Sequence, residues 1–135
     1  MKLQALILFV FTLILPQMSL AQPELTFSDE IKAQFEWVSN PQVGSESLLH
    51  LKFTDTEGNP VELSADPSVV LWMPDMGHGS APTSVEKNRD AAGNVVAGEY
   101  QISKIYFVMP GLWEVRVERQ ISENAVETQS FTIEL

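Results

Sequence analysis

The amino-acid sequence predicts an all-β fold, an antiparallel β-sandwich of about seven strands. Three observations lead there. Short runs alternate apolar and polar residues, turn-forming residues separate the runs, and no long stretch spaces its apolar residues like an amphipathic helix.

The strands follow in chain order. Ala33, Phe35 and Trp37 alternate with Gln34 and Glu36. Leu49, Leu51 and Phe53 alternate with His50 and Lys52. Asp55 to Pro60 is turn chemistry, after which Val61 and Leu63 begin another extended piece. Ser68 to Met73 is a denser apolar strand, followed by the loop Pro74 to Pro82. Thr83 to Arg89 forms a modest strand, and Asp90 to Asn94 a second turn. Gly98 introduces Tyr100-Gln101-Ile102 and then Ile105-Tyr106-Phe107. Pro110-Gly111 breaks the chain before its clearest alternation, in which Trp113, Val115 and Val117 interleave with Glu114, Arg116 and Glu118. Phe131, Ile133 and Leu135 close the chain against Thr132 and Glu134. The turn spacing is that of an immunoglobulin-like sandwich, with a small Greek-key barrel as the alternative. Trp37, Trp113 and the phenylalanines must supply the packing that an inter-sheet disulfide gives in antibody domains.

The N-terminus has the parts of an export signal. Lys2 is a short positive region, Leu3 to Leu15 is almost wholly apolar, and Ser19-Leu20-Ala21 offers small residues at a cleavage site before Gln22. The competing reading is a retained anchor, but a membrane helix needs about 20 apolar residues and this run is shorter and followed by Pro16. Cleavage leaves residues 22–135 as one domain in an exported compartment, with the bacterial periplasm as the expected location.

The 135-residue chain carries a net charge of −10. Without Lys2, seven Lys/Arg face eighteen Asp/Glu, giving −11. Nucleic acid and anionic membrane surfaces select basic patches and are not expected partners. The chain has no cysteine, so thiolate metal sites, thiol redox chemistry and cysteine nucleophiles are excluded. No nucleophile elbow, phosphate loop or calcium-loop spacing is present, and an enzyme is the least expected class.

One segment is chemically unusual: Trp72-Met73-Pro74-Asp75-Met76-Gly77-His78-Gly79-Ser80. After cleavage the chain keeps three methionines and two histidines, and Met73, Met76 and His78 lie within six residues. Thioether sulfur is a soft, neutral donor that suits Cu(I) or Ag(I), and imidazole also binds copper. Gly77 and Gly79 free the backbone on both sides of His78, and Pro74 stiffens the approach. The competing reading makes Met73 a core filler that continues its strand, with Met109 packing under a turn. His50 is out of phase with its apolar neighbours and is expected to face solvent, not to be a ligand. Trp72 is expected to pack in the core or loop, or to shield a bound cation through its ring.

Met73-Pro74-Asp75-Met76-Gly77-His78-Gly79, then Gly98-Glu99-Tyr100, then Phe107-Val108-Met109-Pro110-Gly111-Leu112-Trp113, resemble the YtkA-like family of exported or membrane-tethered immunoglobulin-like domains, related to the FixH group. The similarity runs over roughly Phe35 to Leu135 and rests on the order of the three pieces. The resemblance implies extracytoplasmic copper handling; FixH-type proteins are associated with copper supply to a terminal oxidase and keep a membrane anchor. It also adds Met109 to the ligand set, giving Met73, Met76, His78 and Met109. The expected function is a non-enzymatic domain that buffers Cu(I), in preference to Cu(II), or exchanges it with a donor or acceptor protein. The alternatives are a protein–protein interaction module and an accessory domain of an efflux or oxidase-assembly system without a metal of its own.

Overall fold

The computed structural model describes residues 23–135; the expected signal peptide, residues 1–21, lies outside them. Nine strands are formed: β1 (Glu24–Thr26), β2 (Lys32–Trp37), β3 (Glu46–Thr54), β4 (Ser68–Met73), β5 (His78–Gly79), β6 (Ser84–Arg89), β7 (Val95–Tyr106), β8 (Leu112–Ser122) and β9 (Ala125–Glu134). All pairings between them are antiparallel. One sheet has the order β1-β2-β3-β7-β6 and the other β5-β4-β8-β9. Without the short edge strands β1 and β5, the order is β2-β3-β7-β6 on β4-β8-β9. That is the constant-type immunoglobulin arrangement. Among the described residues, no helix is long and apolar enough to cross a membrane.

The inward phase of each long strand builds one core. Leu49, Leu51 and Phe53 of β3, Ile102 and Ile105 of β7, and Trp113, Val115 and Val117 of β8 are all fully buried. The aromatic packing expected in place of a disulfide is present. Trp113 meets Phe107 edge-on at 5.5 Å between ring centroids, and Phe107 meets Trp37 at 6.1 Å. Phe35 and Phe131 stack at 3.8 Å and close the side where β2 faces β9. Trp37 is only half-buried, so Trp113 carries the larger share of the burial.

Three local expectations differ from the fold. Val61 and Leu63 do not form a strand: the chain makes a single bridge, Thr54 to Pro60, and one backbone bond from Val61 N–H to the Phe53 carbonyl. Pro60 has no N–H to extend that ladder. The two pieces expected between Tyr100 and Phe107 are one 12-residue strand, β7, whose pairing with β3 shifts register between Ser47 and Leu49. The shift accompanies a positive φ of 57° at Lys104, whose N–H donates to the Glu46 carboxylate at 2.9 Å. β8 and β9 run much longer than their apolar alternation, as a hairpin turning at Glu123 and Asn124.

At the far end of that hairpin the inward phase turns polar. Arg119, only 7% exposed, lies over the Phe27 ring and donates to Asp29 at 2.8 Å. Ser28 N–H and Oγ–H both donate to Glu127 of β9, at 2.9 and 2.6 Å. The β1–β2 turn is thereby pinned to the β8–β9 hairpin. His50 sits on the outer face of the five-stranded sheet, paired in register with Glu36 and Gln101. It is half-buried there, with Nε2 3.7 Å from the Glu99 carboxylate, so it faces outward as expected but is not freely solvated.

Candidate functional site

The unusual segment folds as a tight β-hairpin. Leu71 and Met73 point into the core, and the chain then turns through Pro74–Gly77. The Met73 carbonyl accepts N–H bonds from Met76 at 3.3 Å and Gly77 at 2.9 Å, and Gly77 takes the left-handed φ of 64° that closes the turn. β5 returns with His78 opposite Met73 and Gly79 opposite Trp72. Gly79 serves a different purpose from the flexibility expected of it: a Cβ there would lie 2.8 Å from the Leu71 carbonyl oxygen, so only glycine lets β5 cross this close to β4.

His78 Nδ1 lies 3.0 Å from the Gly79 carbonyl oxygen. A carbonyl only accepts, so in the neutral ring this contact puts the proton on Nδ1 and the lone pair on Nε2. The ring stands edge-on to Trp113 at 6.2 Å. Trp113 Nε1–H in turn donates to the Met109 carbonyl at 3.0 Å. One buried indole therefore touches the histidine of the hairpin and holds the turn that carries Met109. That turn is also tied to the end of β9, because Gly111 and Leu135 exchange both backbone bonds, at 2.8 and 3.0 Å.

Met73 joins the two loops from below. A Cβ on Gly111 would lie 2.9 Å from the Met73 Cε, so the thioether methyl rests against the turn containing Met109. Met73, Met76, His78 and Met109 are thus gathered at one end of the sandwich. Their exposure is graded: Met73 is 3% and Met76 59% exposed, with His78 and Met109 half-buried between them. Trp72 points the other way. It lies on the outer face of the four-stranded sheet with the Arg116 guanidinium 5.1 Å above its ring, so its cation–π partner is a side chain of this chain. Sequence reasoning missed the joining role of Trp113; its only trace was an indole placed just after the Met109-Pro110-Gly111 turn.

The donors at this end are thioethers and one imidazole, a set fitted to a soft monovalent ion. Among the described residues, no group of three or more His, Cys, Asp and Glu side chains converges in a way that could hold a metal. A shallow cleft of about 530 Å³ lies elsewhere, on the five-stranded sheet, lined by Glu86, Lys87, Asn88, Arg89 and Gln101.

Charge is sharply segregated along the sandwich. The stretches at the methionine end, residues 38–45, 74–77, 80–83 and 107–111, contain one charged side chain, Asp75. The loops at the opposite end, residues 27–31, 55–67, 90–94 and 123–124, carry eight carboxylates and no Lys or Arg. Val38, Val43 and Val108 are exposed around the methionine end.

These features define a small all-β sandwich with a methionine–histidine hairpin at its charge-poor end. The YtkA-like family model matches residues 26–118, which include the hairpin, the Met109 turn and Trp113, and the chain belongs to the YtkA-like family. The match ends within β8 and leaves β9 outside. The crystal structure of a DUF4426 family protein from Pseudomonas aeruginosa PAO1 is similar in fold, with a TM-score of 0.56 over 84% of this chain and 96% of that one, at 12% sequence identity. No curated protein matches the chain significantly in sequence.

Proposed function

We propose that this protein is an exported, non-enzymatic copper-binding domain that buffers Cu(I) or passes it to a partner protein. Residues 1–21 serve as its cleaved signal peptide and the periplasm is its compartment. Met73, Met76, His78 and Met109 are the ligands, with His78 binding through Nε2. The observation that carries this reading is the hairpin itself: Met73 and His78 are cross-strand partners, and the Met73 methyl rests against the turn of Met109. Thioether ligands suit an exported site, because they cannot be lost to disulfide formation. They also exchange readily, which suits delivery.

Anaerobic competition titration with a Cu(I) chelator tests the proposal. The protein is expected to bind Cu(I) at least about tenfold more tightly than its Met73/Met76/Met109→Leu variant, a difference of about 1.4 kcal/mol. Equal affinities would refute it. A second reading, a protein-interaction module, is favoured by the exposed Val38, Val43 and Val108 on the charge-poor end. Capture of a partner without metal, unaffected by the Leu substitutions, would support that reading instead.

A further inference from the structure

We propose that Met76 is an oxidation site through which peroxide-class oxidants weaken metal binding by the hairpin; this rests on the copper reading above. The observation behind it is the unequal exposure of the three thioethers. Met76 stands in water at 59%, whereas Met73 is 3% exposed and Met109 half-buried. Attack on a thioether follows access to its sulfur. The sulfur of Met76 attacks one oxygen of hydrogen peroxide, and the S–O bond forms as the O–O bond breaks. The departing hydroxide takes the proton of the transferred oxygen and leaves as water, so the thioether is oxidised by two electrons and the peroxide reduced by two.

The consequence follows from the donor chemistry. The sulfoxide is polar, and the added oxygen makes the group a harder and poorer donor for Cu(I). The fold tolerates the change better at Met76 than at Met73. A sulfoxide at Met73 would place an unpaired polar group in the core, at a cost of about 2 kcal/mol or more. At Met76 the new oxygen remains in water. The turn is held by backbone bonds from Met76 and Gly77 to the Met73 carbonyl, which do not involve the thioether. Oxidation therefore removes one donor while the hairpin persists, and thiol-dependent sulfoxide reductases can reverse it.

The test is carried out on the purified metal-free protein with hydrogen peroxide, followed by peptide mass spectrometry. Met76 is expected to form sulfoxide at least about tenfold faster than Met73, with Met109 between them. After removal of peroxide, Cu(I) affinity is expected to fall about tenfold, with the far-ultraviolet circular dichroism unchanged, and to recover on treatment with methionine sulfoxide reductase. In a Met76→Leu variant, the same peroxide dose is expected to leave the affinity, whatever its starting value, where it was. Comparable oxidation rates at Met73 and Met76, or an affinity within about twofold of the starting value once Met76 is fully oxidised, would overturn the switch alone. If the reduced protein binds Cu(I) no better than the triple Leu variant, the copper function fails and the switch with it.

Discussion

Met73 and Gly111 meet so closely that a single added carbon at Gly111 would lie 2.9 Å from the Met73 methyl. Gly111 also holds a φ of 133°, a backbone region that side-chain-bearing residues rarely adopt. Gly111→Ala is therefore expected to lower stability by about 1–3 kcal/mol in urea unfolding. Part of that cost is the contact with Met73. Adding Met73→Ala to Gly111→Ala is expected to cost about 1 kcal/mol less than the sum of the two single changes. Strict additivity would mean that the two loops are not coupled through this contact.

Trp113 joins His78 to the Met109 turn, and its indole N–H is the group to remove. Trp113→Phe keeps an aromatic ring but leaves the Met109 carbonyl without its donor. The expected cost is about 2 kcal/mol, shared between the lost hydrogen bond and the smaller ring. Amide exchange should quicken more in residues 107–111 than in the remote turn 90–94. Equal changes in both would mean that the bond does not hold the turn.

The tautomer of His78 is directly observable. Long-range nitrogen–proton correlation spectra of the metal-free protein at pH 8 are expected to show the proton on Nδ1. A neutral ring protonated on Nε2 would contradict the contact with the Gly79 carbonyl.

Much of the sandwich was legible because its strands bury one side only. In β8, Trp113, Val115 and Val117 face the core and the charged residues between them face out, so the period of two is visible. β9 was half hidden. Glu127 and Gln129 occupy its inward phase, opposite Arg119 and Val117, and Glu127 accepts from Ser28 instead of packing. β1 and β5, three and two residues long, are too short for any alternation to register. Met73, Met76 and His78 of the hairpin were legible as a local cluster of rare residue types. The nearness of Met109 was not, since it depends on strand order in two sheets; the family resemblance suggested it. The link through Trp113 was legible in neither way, because an indole at that position reads as core.

The polar contacts at the acidic end contribute to acid stability. The hydrogen bond and charge of Arg119 hold the Asp29 carboxyl below its ordinary value, and the Ser28 bonds do the same for Glu127. Groups with depressed native values contribute stability that is present above the unfolded carboxylate range. That contribution is lost as pH falls from there through the native values. The unfolding free energy is thus expected to fall as pH drops below about 4, less steeply in Asp29→Asn. At neutral pH that substitution leaves the buried Arg119 without its carboxylate. It should cost about 2–3 kcal/mol, at or below the floor of the range for a broken buried pair because Asp29 is partly in water. An unchanged unfolding midpoint at neutral pH would show that the pair contributes nothing net.

X-ray absorption at the copper edge of the Cu(I)-loaded protein tests the central claim most directly. A first shell of three sulfur donors with one imidazole nitrogen is expected, the sulfur signal vanishing in the Met73/Met76/Met109→Leu variant and the imidazole signal vanishing in His78→Ala. A first shell of nitrogen and oxygen alone, unchanged in both variants, would contradict the assignment of copper to this hairpin.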